Sequence, residues 1–311
     1  MDLLSDVLDA LRTGRPAVVR TDARAPWGVR FRPIAGAGFH VVAEGRCRLL
    51  PPSGGAPVAL GPGDIVFLRR GSGHTLCDTP ESEPLVFVPE RVDASSPVGR
   101  FTVPGDGPRT VLVCGAYPLE IDRPHLVLDE LPEVIHLPAA PGRHPELRSA
   151  VDQLCAEIRQ PRPGSDTVVA TLVDLLLLYI LRSWYAEQPE HRARGWAAAL
   201  EDPVVAPALR AIHADPGRLW SVESLGAEAG LSRAAFARRF TAVVGEPPMG
   251  YLTGWRMAAA ARMLRQSAEP LAAIAERTGY TSEFAFAKAF KRHHGVPPGT
   301  YRHQRRAARA V

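Results

Sequence analysis

Hydrophobic and polar positions change period twice along the chain, and each change predicts a different architecture. Between Ala17 and about Ile121, short runs of β-branched and apolar residues alternate with Gly and Pro. The runs are Ala17–Thr21, Trp27–Phe31, Phe39–Ala43, Cys47–Leu50, Ala56–Leu60, Asp64–Leu68, His74–Cys77 and Thr110–Cys114. Their spacing is that of a small sandwich or barrel. Ser53-Gly54-Gly55 and Gly61-Pro62-Gly63-Asp64 supply turn chemistry, and Ser95–Pro108 is expected to be a loop. Ahead of the strands, MDLLSDVLDALR reads as an amphipathic helix.

The second regime is helical. Leu147, Val151, Leu154 and Ile158 lie on one helical face within Arg143–Arg159. After a Pro- and Gly-rich break, Ser165 or Asp166 caps a longer predicted helix to about Tyr185. That helix is apolar on most sides, more than one small barrel covers, which predicts a helix–helix homodimer interface. Gln188–Gly195 is the expected linker.

The last third contains an internal repeat at an offset of 50 residues. Ser232/Ser282, Ala235/Ala285, Phe236/Phe286, Ala237/Ala287, Phe240/Phe290, Gly245/Gly295, Pro247/Pro297, Pro248/Pro298 and Tyr251/Tyr301 are identical pairs, and Arg238 pairs with Lys288. Each copy reads as a helix, a Gly-containing turn and a second helix. Ser221 and Ser232 are expected caps in the first copy, Thr281 or Ser282 in the second. The Phe pairs, four residues apart, face a core and leave the opposite face of each second helix open. Pro248–Gln266 is predicted to join the copies as one helix. This is the pattern of the helix-turn-helix, whose second helix enters the DNA major groove.

Charge sharpens that reading. Residues 1–200 carry 21 Arg against 24 Asp and Glu, whereas residues 201–311 carry 14 Arg and 2 Lys against 9. The net charges of −3 and +7 place a polyanion partner at the back. Four cysteines without a CxxC argue against a disulfide framework and a structural zinc site. No secretory signal is visible and the most apolar stretch, Thr167–Trp184, holds Asp174 and Arg182, so a cytoplasmic protein without a membrane span is expected.

Two resemblances extend the reading. Gly279-Tyr280-Thr281-Ser282-Glu283-Phe284, running into Phe290-Lys291-Arg292 and Gly295–Arg302, makes roughly Val204–Arg302 resemble the DNA-binding domain of the AraC family of transcription regulators. By position, the resemblance implies that Arg233, Ala234, Ala237 and Arg238 read bases in the first copy. Glu283, Phe284, Ala287 and Lys288 do so in the second, with Lys291 at phosphate or base. Arg238 is the strongest base reader, since a guanidinium bonds guanine O6 and N7 together. Promoter DNA, RNA polymerase and an activator role are implied with it.

Phe39–Asp78, with His40, Glu44-Gly45, Gly63-Asp64, Gly71 and His74, resembles a cupin, a small jelly-roll barrel. The second His of a cupin metal pair is missing after His40, so no metal or other cofactor is expected. His40, Glu44, His74 and Cys77 are the candidate effector or metal pocket, and Cys114 is the candidate redox sensor.

The expected fold class is an α+β multidomain chain with a cupin-like sensor domain at 1–140. A helical oligomerisation segment and linker follow at 141–200, then an all-α double helix-turn-helix domain at 201–311. The expected function is a non-enzymatic, sequence-specific regulator that answers to a small molecule or oxidant. The alternatives are a metal-dependent cupin enzyme fused to a DNA-binding domain, and a constitutive DNA-binding protein with a silent barrel.

Overall fold

In a computed structural model, which describes residues 3–89, 98–119, 128, 130–188 and 195–307, the alternating segment forms two sheets. One has the strand order β11-β6-β3-β10-β1-β9: Val134–Leu137, Ile65–Leu68, Ala37–Glu44, Arg109–Tyr117, Ala17–Arg24 and Gly99–Val103. The other has the order β5-β4-β7-β2-β8: Val58–Leu60, Cys47–Leu50, His74–Cys77, Gly28–Phe31 and Pro84–Val86. Val42, Val66, Leu68 and Leu112 from the first meet Val29, Leu49, Leu60 and Leu76 from the second in one buried core. This is the two-layer solution that half-buried strands require.

Three strands escaped the sequence pattern. β9, of five residues, lies within the expected loop Ser95–Pro108, and β8 and β11 are shorter still, at three and four residues. All three sit at sheet edges. β8 and β9 pair in parallel with β2 and β1, with no hairpin turn to announce them.

Helices α2 (Pro145–Arg159) and α3 (Ser165–Ala186) pack on each other and group with the sheets. The Tyr117 hydroxyl of β10 donates to the Val173 carbonyl of α3 at 2.7 Å. α3 is the one described helix long and apolar enough to cross a membrane, and half of it is buried within the protein. Val169, Leu172, Val173, Leu176, Leu177, Ile180 and Leu181 are covered, so its own unit hides most of the apolar surplus. Val168 stays 42% exposed, with Leu175 and Leu178 half-buried on the same side.

The second unit is helical, and its composition departs from the expected boundaries. It combines residues 189–311 with 1–13 and 125–130, while 14–124 and 131–188 form the unit with the sheets. The predicted N-terminal helix, α1 (Leu3–Leu11), therefore does not belong to the cupin-like part. Its apolar stripe of Leu3, Leu4, Val7, Leu8 and Leu11 is buried against α5 (Val205–Ala214) and α8 (Pro248–Gln266). Arg265 of α8 donates to the Ala10 carbonyl at 2.8 Å and to the Tyr301 hydroxyl at 2.6 Å. Likewise the expected segment 141–200 does not stand apart, because α2 and α3 bury their faces on the β unit. Residues 189–194 of the expected linker lie outside the described residues.

The repeat becomes α6 (Val222–Glu228) with α7 (Arg233–Val244), and α9 (Leu271–Arg277) with α10 (Glu283–His294). α8 joins them, α4 (Trp196–Glu201) and α5 flank the first pair, and α11 (Pro298–Ala307) follows the second.

Candidate functional site

Capping sets the start of each recognition helix. Ser221 and Ser224 close a reciprocal capping box on α6, each side chain accepting from the other's backbone N–H, at 3.0 and 2.9 Å. Ser232 accepts from the Ala235 N–H at 3.4 Å, and Ser282 from that of Ala285 at 3.1 Å. Between the helices of each pair, Gly230 and Gly279 take φ values of +68° and +76°. A side chain is strained in that left-handed region, so glycine recurs at the turn.

The Phe pairs fix the orientation. Phe236 and Phe240 are fully buried with ring centroids 5.6 Å apart, and Phe286 and Phe290 repeat this at 5.7 Å. Tyr251 and Tyr301 close the two clusters edge-on. With those faces inward, the opposite faces look out. Arg233, Ala234 and Arg238 are exposed on α7, with Ala237 half-buried; Glu283, Phe284, Lys288 and Lys291 are exposed on α10, with Ala287 half-buried. Phe284 is 80% exposed, so it does not pack into the core.

Arg239, adjacent to Arg238, is different. Its Nε donates to buried Asp202 at 2.9 Å, and Asp202 also accepts from the N–H groups of Val204 and Val205. These bonds hold the Asp202 carboxyl below its ordinary range despite burial, which raises it. Arg239 thus ties α7 to the start of α5, a role the helical pattern did not announce. The tail Tyr301–Arg302 lies in α11, where Arg302 donates to the Glu269 carbonyl at 2.5 Å; the side chains of Arg305 and Arg306 lie outside the description.

In the β unit the four pocket candidates do not converge. His40 and His74 do meet, Nε2 to Nε2 at 2.7 Å. His74 Nδ1 lies 2.8 Å from the Ser72 carbonyl, which only accepts, so Nδ1 carries the proton and Nε2 of the neutral ring accepts from His40. Phe31 stacks on His74 at 4.9 Å. Burial pushes both imidazoles below their ordinary range and keeps them neutral.

Glu44 lies instead at the end of β3, paired with Arg109 at 3.2 Å and Arg159 at 4.0 Å. Cys77 is three residues from His74 on one strand, and strand alternation turns it to the opposite face of the sheet. Its thiol points to the Arg48 carbonyl at 3.8 Å, and burial raises it. Among the described residues, no three His, Cys, Asp or Glu side chains are placed to hold a metal. The residues here do not fit a cupin metal set.

Cys114 corrects a second expectation. It is 6% exposed in the core between the sheets, against Thr21 Oγ1 at 3.8 Å, and desolvation pushes its thiol up to about 12. Cys47 is raised to about 12 for the same reason. A reactive cysteine needs exposure and a lowered pKa, so the geometry is that of core packing.

Space in this unit lies elsewhere. A cavity of about 510 Å³ opens between the Ile65–Leu137 side of the sheet and α2, lined also by Ala140, Arg143, Leu147 and Arg148. A second, of about 300 Å³, continues past Pro62, Gly63 and Arg148 to Cys155. No sequence motif marks either, because they form where a helix meets a sheet.

A β domain of cupin type and a duplicated helix-turn-helix define a class: regulators that act on DNA through one domain while carrying a second. Comparison with known proteins agrees. A family described as Cupin matches residues 2–186, and one described as Helix-turn-helix domain matches residues 225–304. A putative AraC-like transcription regulator of Streptomyces lividans is 37% identical over 97% of this chain and 98% of its own. The RCS-specific HTH-type transcriptional activator RclR of Escherichia coli K12 is 31% identical over 85% and 83%. The DNA-binding domain of AdpA, solved in complex with a target DNA, is 33% identical over 35% of this chain and 98% of that one, with a TM-score of 0.33. The chain belongs to the AraC family of transcription regulators and binds double-stranded DNA.

Proposed function

We propose that the protein reads a composite site with both recognition helices, Arg233, Ala234, Ala237 and Arg238 facing one major-groove segment and Glu283, Phe284, Ala287, Lys288 and Lys291 the next. The observation that carries this is the pairing of a buried, repeated Phe face with an outward face whose cations are uncommitted. The side chains of Arg233, Arg238, Lys288 and Lys291 make no ion pair or hydrogen bond among the described residues. Arginine supplies bidentate guanine contacts and lysine supplies point charge toward phosphate. Fluorescence anisotropy on duplexes selected by the protein tests this. Arg238→Ala should weaken specific binding and relax one base position; unchanged affinity and specificity would remove α7 from the readout.

The regulator acts as an activator, as the Escherichia coli relative is named; in our reading it does so by recruiting RNA polymerase, and without catalysis, cofactor or metal. It works inside the cell as a homodimer, through the stripe of Val168, Leu175 and Leu178 on α3. Sedimentation of Leu178→Glu checks that: a persisting dimer would place the interface elsewhere. We place a small-molecule effector in the cavity beside α2, since the interior between the sheets is filled by side chains. Ala140→Trp, which narrows the cavity, should leave DNA binding intact and abolish the response to an inducing molecule. A preserved response would exclude this cavity.

A further inference from the structure

A protein that reads two half-sites with two heads must hold those heads at a set separation. One connecting helix does this poorly, because rotation at either of its ends re-aims the recognition helices. Here α8 is not the sole connection. The loop leading into the first helix-turn-helix, Asp215–Arg218, lies directly against the turn of the second, Arg277–Gly279. A Cβ built on Gly217 would sit 2.9 Å from the Arg277 carbonyl oxygen, and one on Gly279 would sit 2.9 Å from the Gly217 carbonyl oxygen. The two backbones touch with no room for a side chain.

The loop is itself stiff. Asp215 Oδ1 accepts from the Arg218 N–H at 3.0 Å, and the Trp220 indole donates to the Asp215 carbonyl at 2.8 Å. Arg218 covers the Trp220 ring at 4.1 Å.

Arg256, in the middle of α8, reaches this junction. Its Nε donates to the Pro216 carbonyl at 2.7 Å and its Nη2 to the Arg218 carbonyl at 2.9 Å. The same Nη2 is the group that a Cβ on Gly279 would strike first. One planar fork thus contacts the connecting helix's own side, the leading loop of the first unit and the turn of the second. A guanidinium offers several donors in a fixed plane, so both carbonyls are held in one geometry, which a lysine does not reproduce.

We propose that Arg256 is a positioning residue that locks the spacing and rotational phase of the two recognition helices, and so sets which half-site separation the regulator accepts. This rests on both helices reading DNA. Inserting one base pair between half-sites moves the second by about 3.4 Å and turns it by about 34°, a displacement that a rigid junction does not follow.

The test uses the full-length protein and a duplex it selects from a random pool, the same duplex with one base pair inserted between half-sites, and a single half-site. Wild type should lose about tenfold or more in affinity on insertion, the order of a mismatched contact. Arg256→Ala should lose less than about threefold on insertion, with single half-site affinity unchanged. Arg256→Lys should restore part of the discrimination.

Gly217→Ala wedges the junction without touching Arg256 and should flatten the spacing dependence in the same direction. It decides the matter should Arg256→Ala fail to fold. The proposal is overturned if the Arg256→Ala or Gly217→Ala protein discriminates against the insertion as strongly as wild type. A wild-type protein that selects duplexes with one half-site alone overturns two-headed reading itself, which is a separate result.

Discussion

The helical unit and the β unit handle their reactive groups in opposite ways. In the helical unit, an apolar repeat is buried, and Arg233, Arg238, Lys288 and Lys291 beside it are turned outward with their side chains unpaired among the described residues. In the β unit, the imidazoles of His40 and His74 and the thiols of Cys47 and Cys114 are turned inward, where desolvation holds them neutral. The lesson is that chemistry used against an external polyanion sits opposite a core face, so its place follows from helical periodicity. Buried polar chemistry follows only from which strands meet.

The sharpest break of this comparison targets the repeat. Phe240→Ala and Phe290→Ala should each cost about 3–5 kcal/mol, as for other large buried aromatics, in urea unfolding followed by circular dichroism. Similar losses sharpen the view of two equivalent cores; a gap of more than about 2 kcal/mol would show that one copy leans on its neighbours. The β unit should instead reveal its hidden imidazoles through acid. Burial depresses their folded-state pKa below the unfolded value near 6.5, so the unfolded chain binds protons first. Stability is then fully present above about pH 6.5 and falls by up to about 1.4 kcal/mol per pH unit per histidine until the depressed pKa is passed. Thermal melts from pH 7.5 to 5 should show this, and His40→Gln with His74→Gln should flatten the slope.

Smaller effects belong to the outward face. Arg238→Ala should cost about 1–3 kcal/mol of specific DNA binding, whereas Lys288→Ala should weaken binding to all sequences and lower the salt slope by about one. Anisotropy at several salt concentrations separates the two. Phe284→Ala should change unfolding stability by less than about 0.5 kcal/mol, as an exposed position should, while still lowering DNA affinity. A larger stability loss would mean that Phe284 packs.

Much of this was legible in the chain, for specific reasons. Ser221, Ser232 and Ser282 announced helix starts because capping is local, and Phe236, Phe240, Phe286 and Phe290 announced a core because their spacing recurs. The strand of Cys47–Leu50 and that of His74–Cys77 were read at their observed bounds. The edge strands β8 and β9 were not, because three to five residues pairing in parallel carry no turn signal. The placement of Glu44 and Cys77 away from His40 and His74 was hidden for a similar reason, since resemblance counts residues while pleat and register decide their faces. Nor does periodicity show that Arg239 serves Asp202 while its neighbour Arg238 stays free.

Docking α1 on α5 and α8 has a consequence for how the protein is made. During synthesis α1 precedes both α5 and α8, so its docking face is complete only when α8, ending at Gln266, has also emerged. At about 5–20 residues per second that wait is on the order of tens of seconds. Throughout it, the stripe of Leu3, Leu4, Val7, Leu8 and Leu11 lacks its complete docking face and is open to chaperones or to neighbouring nascent chains. Completion of the DNA-reading unit is thereby tied to synthesis of everything from α1 to α8, so a chain cut short before α8 presents an incompletely buried apolar helix rather than a finished part.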